Sequence, residues 1–282
     1  MRSPTVILLA GMLGVLVYVA NFAWWFEREI VDSENFVDST VVALGREESR
    51  DAMGQLIVDR LVDEFPLLIV VESNLVGMFS DLLATPALSG VVTDVGADVH
   101  EAIVTGNQDA IEISLEDYRD VIVAPLEAIS PQLAGLVPDG WFVSIEVLEA
   151  GALPDLSLYA RWADLARFLS IIGAAALAAS LLWFANRRSV GLMLVGAALI
   201  FAGAASAVLV PAGRVLTIGK VHTRSMETLV TITYNEFTES LLLSAVVLVL
   251  IGLALIAAGL AVSSASAPTE PTDHLSDGLV DI

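Results

Sequence analysis

Three groups of side chains have the types and spacing to do chemistry. Arg214, Lys220 and Arg224 put positive charge into one short stretch. Opposite charges attract across short distances, so this stretch can hold an acidic protein surface or, alternatively, lipid phosphates. Asp59, Asp63 and Glu64, and separately Asp94 and Asp98, have helical spacings that place carboxylates on one face, which a divalent cation could use. No EF-hand spacing accompanies them, and like charges this close suit a water-facing surface better. His100, His222 and His274 lie far apart, without the His-x-x-x-His or His-Glu pairing of a zinc site. No catalytic, cofactor or metal residue is assigned from these groups. The one site expected is a docking contact through Arg214, Lys220 and Arg224.

The elements that must position these residues follow from charge and hydropathy. The net charge is −21, and residues 27–164 hold 27 of the 34 acids but only six arginines, so the whole imbalance lies in that block. The block sits between apolar stretches at 6–25, 168–185, 190–210 and 241–262, none of which contains Asp, Glu, Lys, Arg or His. Hydrocarbon about 30 Å thick needs roughly 20 apolar residues per helix. Mean hydropathy is +0.77, and 56% of residues are hydrophobic, above the roughly 45–50% of a soluble domain. The expected fold class is therefore an α-helical membrane protein: four transmembrane helices and a mainly helical (α+β) extracytoplasmic domain with a small two-stranded sheet.

The expected domains are an N-terminal anchor (1–26), the acidic outer domain (27–164), three membrane helices with an outer loop at 211–240 (165–262), and a polar, disordered tail (263–282). The first stretch is longer than the roughly 7–15-residue core of a cleaved signal and ends in the interfacial pair Trp24-Trp25, which favours an anchor. Arg2 before it, and Arg187-Arg188 in the short turn after the second span, place both termini in the cytoplasm and 27–164 outside the plasma membrane. Arg161, Arg167 and the 214–224 cations oppose that orientation, but the first helix usually dominates and a large domain translocates regardless of charge.

Within the outer block, Asp32-Ser33 reads as a helix start. Helices are expected at 36–44, 47–65, 67–83 and 87–104, the second from the apolar period Met53, Leu56/Ile57, Leu61 and Phe65. Gly106-Asn107 is a turn signal. Alternation at 111–115 and 142–148 suggests two paired strands, with a helix at 116–129 between them. Residues 156–167 are expected to run as helix straight into the membrane, and Met226, Leu229/Val230, Tyr234 and Phe237 to extend the fourth span backwards. Ala198, Ala202 and Ser206, and Ala174 and Ala178, are small residues at fourfold spacing that let helices pack closely.

Several of these phrases resemble a family of uncharacterised actinobacterial four-helix integral membrane proteins with an extracytoplasmic domain after the first helix. The matching segments are Asn35-Phe36-Val37 through Val41-Val42-Ala43-Leu44, residues 51–65 around Val58-Asp59-Arg60, residues 100–105, 113–123, 143–148 and 159–169, and the Arg187-Arg188 turn. They span roughly 30–210. The resemblance implies the topology and carries no activity. The strong acidity and weak positive-inside bias depart from that family.

Function classes can be narrowed. The chain has no cysteine, which excludes disulfides, thiol catalysis and Cys-ligated metal centres. Ion- or proton-coupled transporters usually carry ionisable groups inside their spans, whereas Asn21, Ser170, Ser180, Ser206 and Ser244 are the polar residues of these stretches. No nucleophile elbow, phosphate loop or metalloprotease motif points to an enzyme. The expectation is a non-enzymatic envelope protein, without cofactor, whose acidic outer domain binds or scaffolds envelope proteins or senses a ligand. Its partners would be the lipid bilayer and other membrane or envelope proteins, or a second copy, with no nucleic acid. The alternatives are an accessory subunit of a transport or export complex and, less favoured, a membrane-surface enzyme.

Overall fold

The computed structural model describes residues 3–64, 66–107, 111–113, 145–148, 155–185, 188–218 and 223–265. These are almost entirely helical. The first helix, α1 (Ser3–Phe26), passes without a break into a π-helical turn, Glu27–Val31. The Asp32 amide bonds the Glu27 carbonyl at 2.9 Å, five residues back, which is the wider π spacing. Asp32 then caps α2 (Ser33–Gly45), its carboxylate accepting the Asn35 amide at 3.0 Å.

Arg46 is an extended joint to α3 (Glu47–Glu64). The apolar run after Pro66 splits, in place of the single helix expected over 67–83. Pro66–Val71 is a 3-10 turn, and α4 begins at Glu72 and ends at Leu83. The turn reverses the chain so that α4 packs back along α3. A helix continuous from Leu67 would leave that antiparallel contact unmade. Leu75, Phe79 and Leu82 form the buried stripe of α4. Gly54 lets the helices close: a Cβ there would lie 2.9 Å from the Val76 carbonyl. The Ser80 hydroxyl donates to Asp51 across the same contact at 2.5 Å. Pro86 begins α5 (Pro86–Thr105), which ends on Gly106 at φ +75°.

Strands β1 (Ile111–Ile113) and β2 (Ile145–Leu148) pair antiparallel, Ile113 opposite Ile145 and Ile111 opposite Leu148. The helix expected at 116–129 and the tail 266–282 lie outside the described residues.

Three long helices follow: α6 (Ser157–Phe184), α7 (Arg188–Ile218) and α8 (Arg224–Ala265). With α1 they make four helices long and apolar enough to cross a membrane. Arg188 belongs to α7 and not to the preceding turn. The stretch 211–240, read above as an outer loop, is helical on both sides: α7 continues through Pro211 to Ile218, and α8 starts at Arg224. Proline removes one helical donor, here the partner of the Ala207 carbonyl four residues back, yet the helix continues through it. Beside it, the Tyr234 hydroxyl of α8 donates to the Val210 carbonyl at 2.7 Å and ties the two helices together at this point.

The four helices do not form a closed ring. The central helix α1 packs against α6 and α7, while α8 packs chiefly against α7. Leu13, Leu181 and Ala198 form a buried cluster where α1, α6 and α7 meet, with Ala174 and Ala178 beside it. Ala202 and Ser206 are fully buried on α7, and the Asn21 amide donates to the Ser206 hydroxyl at 3.2 Å.

The seam between α7 and α8 is tighter still. A Cβ on Gly196 would stand 2.5 Å from the Gly252 carbonyl, one on Gly203 2.6 Å from that of Ala245, and one on Gly259 2.8 Å from that of Ser189. Ser189, Gly196 and Gly203 recur every seventh residue, as do Ala245, Gly252 and Gly259. Two antiparallel helices with small residues at that period keep one seam in register along their length.

Candidate functional site

Among the described residues, buried polar and aromatic contacts concentrate at the junction between the α2–α5 layer and the N-terminal part of α8. A 42-residue helix is about 63 Å long at 1.5 Å per residue. Hydrocarbon is only about 30 Å thick, so α8 reaches well beyond the span it can bury in lipid. Both α2 and α3 pack against it.

Three kinds of contact make the junction. The first is aromatic. The Phe36 ring lies 5.1 Å from that of Phe237 and 5.2 Å from that of His100, and all three are buried. His100 Nε2 sits 3.0 Å from the Val31 carbonyl. A carbonyl only accepts, so Nε2 carries the proton. This histidine joins α5 to the end of the π turn and is occupied structurally.

The second is Glu29. The π turn places its side chain inward, and the residue is 6% exposed. Its carboxylate accepts from Ser39 on α2 at 3.2 Å and from Ser240 on α8 at 2.8 Å, with Arg28 Nε at 3.6 Å. A buried carboxylate is costly unless hydrogen-bonded or paired, and here it is both. One side chain thus ties α1, α2 and α8 together.

The third is a set of ion pairs and caps around the rim. Arg46, at the joint between α2 and α3, pairs with Glu236 on α8. Arg167 on α6 pairs with Glu27 on the π turn and with Asp164, each at 2.8 Å. Trp25 Nε1 donates to the Phe237 carbonyl at 2.7 Å. At the top of α6, Asp155 accepts the Ser157 amide at 2.9 Å. The Ser157 hydroxyl and amide together hold the Asp155 carboxyl below its ordinary range.

The sequence-derived candidates fall elsewhere. Arg214 lies exposed near the end of α7, and Arg224 lies exposed as the first residue of α8. Neither makes an ion pair with another described residue, and Lys220 is outside the described residues. The described ion pair across the junction has the opposite polarity, with the cation on the α2–α5 layer and the acid on α8. Asp59 is exposed and accepts from Gln55 at 2.7 Å; Asp63, Asp94 and Asp98 are also exposed. Among the described residues no group of three or more His, Asp or Glu converges to hold a metal ion. His222 and His274 lie outside the described residues.

The described surface includes three open grooves. Two lie along α4: one of about 610 Å³ along Asn74, Met78 and Asp81, and one of about 460 Å³ along Gln55, Ile69 and Glu72. At the tip between them Ile69 and Val70 are 61% and 86% exposed. The third, of about 370 Å³, runs between α1 and α8.

The sequence reading passes over Glu29 and the seven-residue glycine period. Glu29 is one acid among many, and only the π turn distinguishes it. The glycine period is visible in the sequence, but fourfold spacing masks it on α7. No family model, no curated protein and no solved structure matches the chain. The family resemblance noted above therefore rests on the quoted phrases alone.

Proposed function

We propose that this is an integral envelope protein of the plasma membrane whose acidic outer domain binds or scaffolds other envelope proteins or senses a ligand, while the four long helices hold it in place. Both termini are cytoplasmic in this reading, and 27–164 lies outside. The observation that carries it is the junction: Phe36, Glu29 and Arg46 seat the outer layer on α8 through three independent kinds of contact. A domain that only needed tethering could hang from a linker. A domain seated this firmly presents its outer face at a fixed height and angle, as a scaffold must. The exposed Ile69 and Val70 tip and the two grooves along α4 are the surface it would present.

The test is gentle extraction of the tagged full-length protein from its native membrane, followed by native mass determination and identification of what co-elutes. Soluble or single-span envelope proteins at stoichiometric ratio, lost on Val70→Glu, support the scaffold. A stoichiometric set of multi-pass proteins, insensitive to Val70→Glu, replaces it with the accessory-subunit reading.

A further inference from the structure

The groove between α1 and α8 carries its charge at one end and is mainly apolar along the rest. Its described lining is Asn21, Trp24 and Arg28 on the first helix and Ser240, Leu243, Ser244, Val247 and Leu248 on the last. The Ser240–Glu29 hydrogen bond marks the Arg28 end. From Ser240 to Leu248 is eight residues, about 12 Å along the helix, and the deeper lining is Leu243, Val247 and Leu248 with Ser244 and Asn21 among them. The polar groups of the lining are largely engaged by the protein. Asn21 donates to Ser206, Ser240 to Glu29, and Ser244 to the Leu241 carbonyl at 2.8 Å.

Arg28 is different. Among the described lining residues it alone carries a charge. Its guanidinium is propped over the Trp24 ring, 5.5 Å from the centroid. Nε lies 3.6 Å from Glu29, too long for a good hydrogen bond. The terminal nitrogens make no hydrogen bond to a described residue, and the side chain is 49% exposed. Glu29 spends its oxygens on Ser39 and Ser240. The groove therefore ends in an oriented guanidinium with open donors, beside Trp24-Trp25 at the place where an interfacial aromatic belt would lie.

We propose that this groove is a binding site for an anionic phospholipid, with one acyl chain along Leu243, Val247 and Leu248 and the headgroup phosphate on Arg28. Charge and polarity match along the whole groove: a cation meets the phosphate, and a lining whose polar groups are internally bonded meets the chain. Arginine suits this role because its planar fork can present two donors to one phosphate. The α1–α8 gap exists because both helices pack on α7 and only weakly on each other. The inference rests on the four helices crossing a bilayer and is independent of what the outer domain binds.

The experiment uses the purified full-length protein in detergent, offered dioleoyl phosphatidylglycerol or dioleoyl phosphatidylcholine. Bound lipid is counted by native mass spectrometry. The wild type should retain the anionic lipid about fivefold more than the zwitterionic one. Arg28→Gln should bring the two to parity, and Val247→Trp should lower retention of both. Arg161→Gln removes an exposed cation on another helix and should leave the preference intact. Equal retention by the wild type overturns the proposal, and so does a preference that survives Arg28→Gln. Loss of preference in Arg161→Gln to the same degree reduces the effect to general surface charge and also overturns it. Displacement of the lipid by inorganic phosphate alone would show that the acyl groove contributes nothing. Wild type, Arg28→Gln and Arg161→Gln decide the matter even where Val247→Trp does not fold.

Discussion

The two halves of α8 are held by opposite means. Below Leu241, Ala245, Gly252 and Gly259 face α7 with nothing beyond a methyl group, so backbone approaches backbone. Above it, Phe237 fills space with a ring and Glu236 reaches out to Arg46. The proposed placement, with lipid around the lower half and water around the upper, accounts for the difference. Within lipid, apolar side chains gain nothing by leaving a medium as apolar as themselves, so helices associate through close van der Waals contact, which small residues permit. In water, burying a ring is favourable in itself, and large side chains do the joining. Ser240 and Glu29 stand at the change-over, where one hydrogen bond links the lower regime to the upper.

If this contrast is right, the two halves should respond oppositely to side-chain size. Phe237→Ala should have the largest effect. It removes a buried ring from the Phe36–His100 cluster and should loosen the outer layer by about 4 kcal/mol. Hydrogen exchange should rise in α2 and α3 while α7 and lower α8 stay protected. Gly252→Val makes the reverse change. It forces atoms into a space where a Cβ alone would stand 2.6 Å from the Gly196 carbonyl. Overpacking of this kind costs about 2 kcal/mol, read as a lowered midpoint in detergent-exchange unfolding, with the α2–α3 exchange pattern unchanged. Glu29→Ala strips the acceptor from the half-buried Ser39 and Ser240 hydroxyls and should cost about 1 kcal/mol. Because Glu29 touches both regimes, exchange should rise in α2 and around Ser240 together.

The smallest effect should be that of pH on the upper end of α6. The Ser157 hydroxyl and amide bond the charged form of Asp155, which lowers its pKa in the folded chain. Stability from this contact is fully present above the ordinary Asp value of about 3.9. It is lost as pH falls through the lower folded value. An Asp155→Asn variant should be slightly less stable than the wild type near neutrality, with the difference closing as pH falls below about 3.9, and this is checked by unfolding midpoints across an acid series.

Much of this architecture was legible in the sequence, for physical reasons that differ along the chain. The four long helices were, because twenty uninterrupted apolar residues admit few other readings. So was the start of α2, because the Asp32 carboxylate and the Asn35 amide are three residues apart. The split at Val71 was not: Leu67 to Val71 have strong apolar character and say nothing about the reversal that lets α4 lie on α3. Pro211 misled in the other direction. A proline normally ends a helix, but this one lies inside α7, which runs on to Ile218. The junction was half legible. Phe237 was visible as part of an extension of the last span, but its partner Phe36 lies some 200 residues away in sequence, and no local pattern joins them. The cations at 214–224 drew attention because basic residues are scarce, whereas the described contact uses Arg46, isolated among acids.

The central claim is that the acidic outer layer sits on the upper part of α8, outside the membrane. The chain has no cysteine, so Arg46→Cys and Glu236→Cys together introduce the only two thiols. A short, membrane-impermeant bismaleimide added to intact cells should link these positions within one chain and speed its migration on a denaturing gel, while either single variant should give no such product. Linking only after the cells are opened would place the junction on the cytoplasmic side. No linking under either condition would contradict the seating of the outer layer on α8.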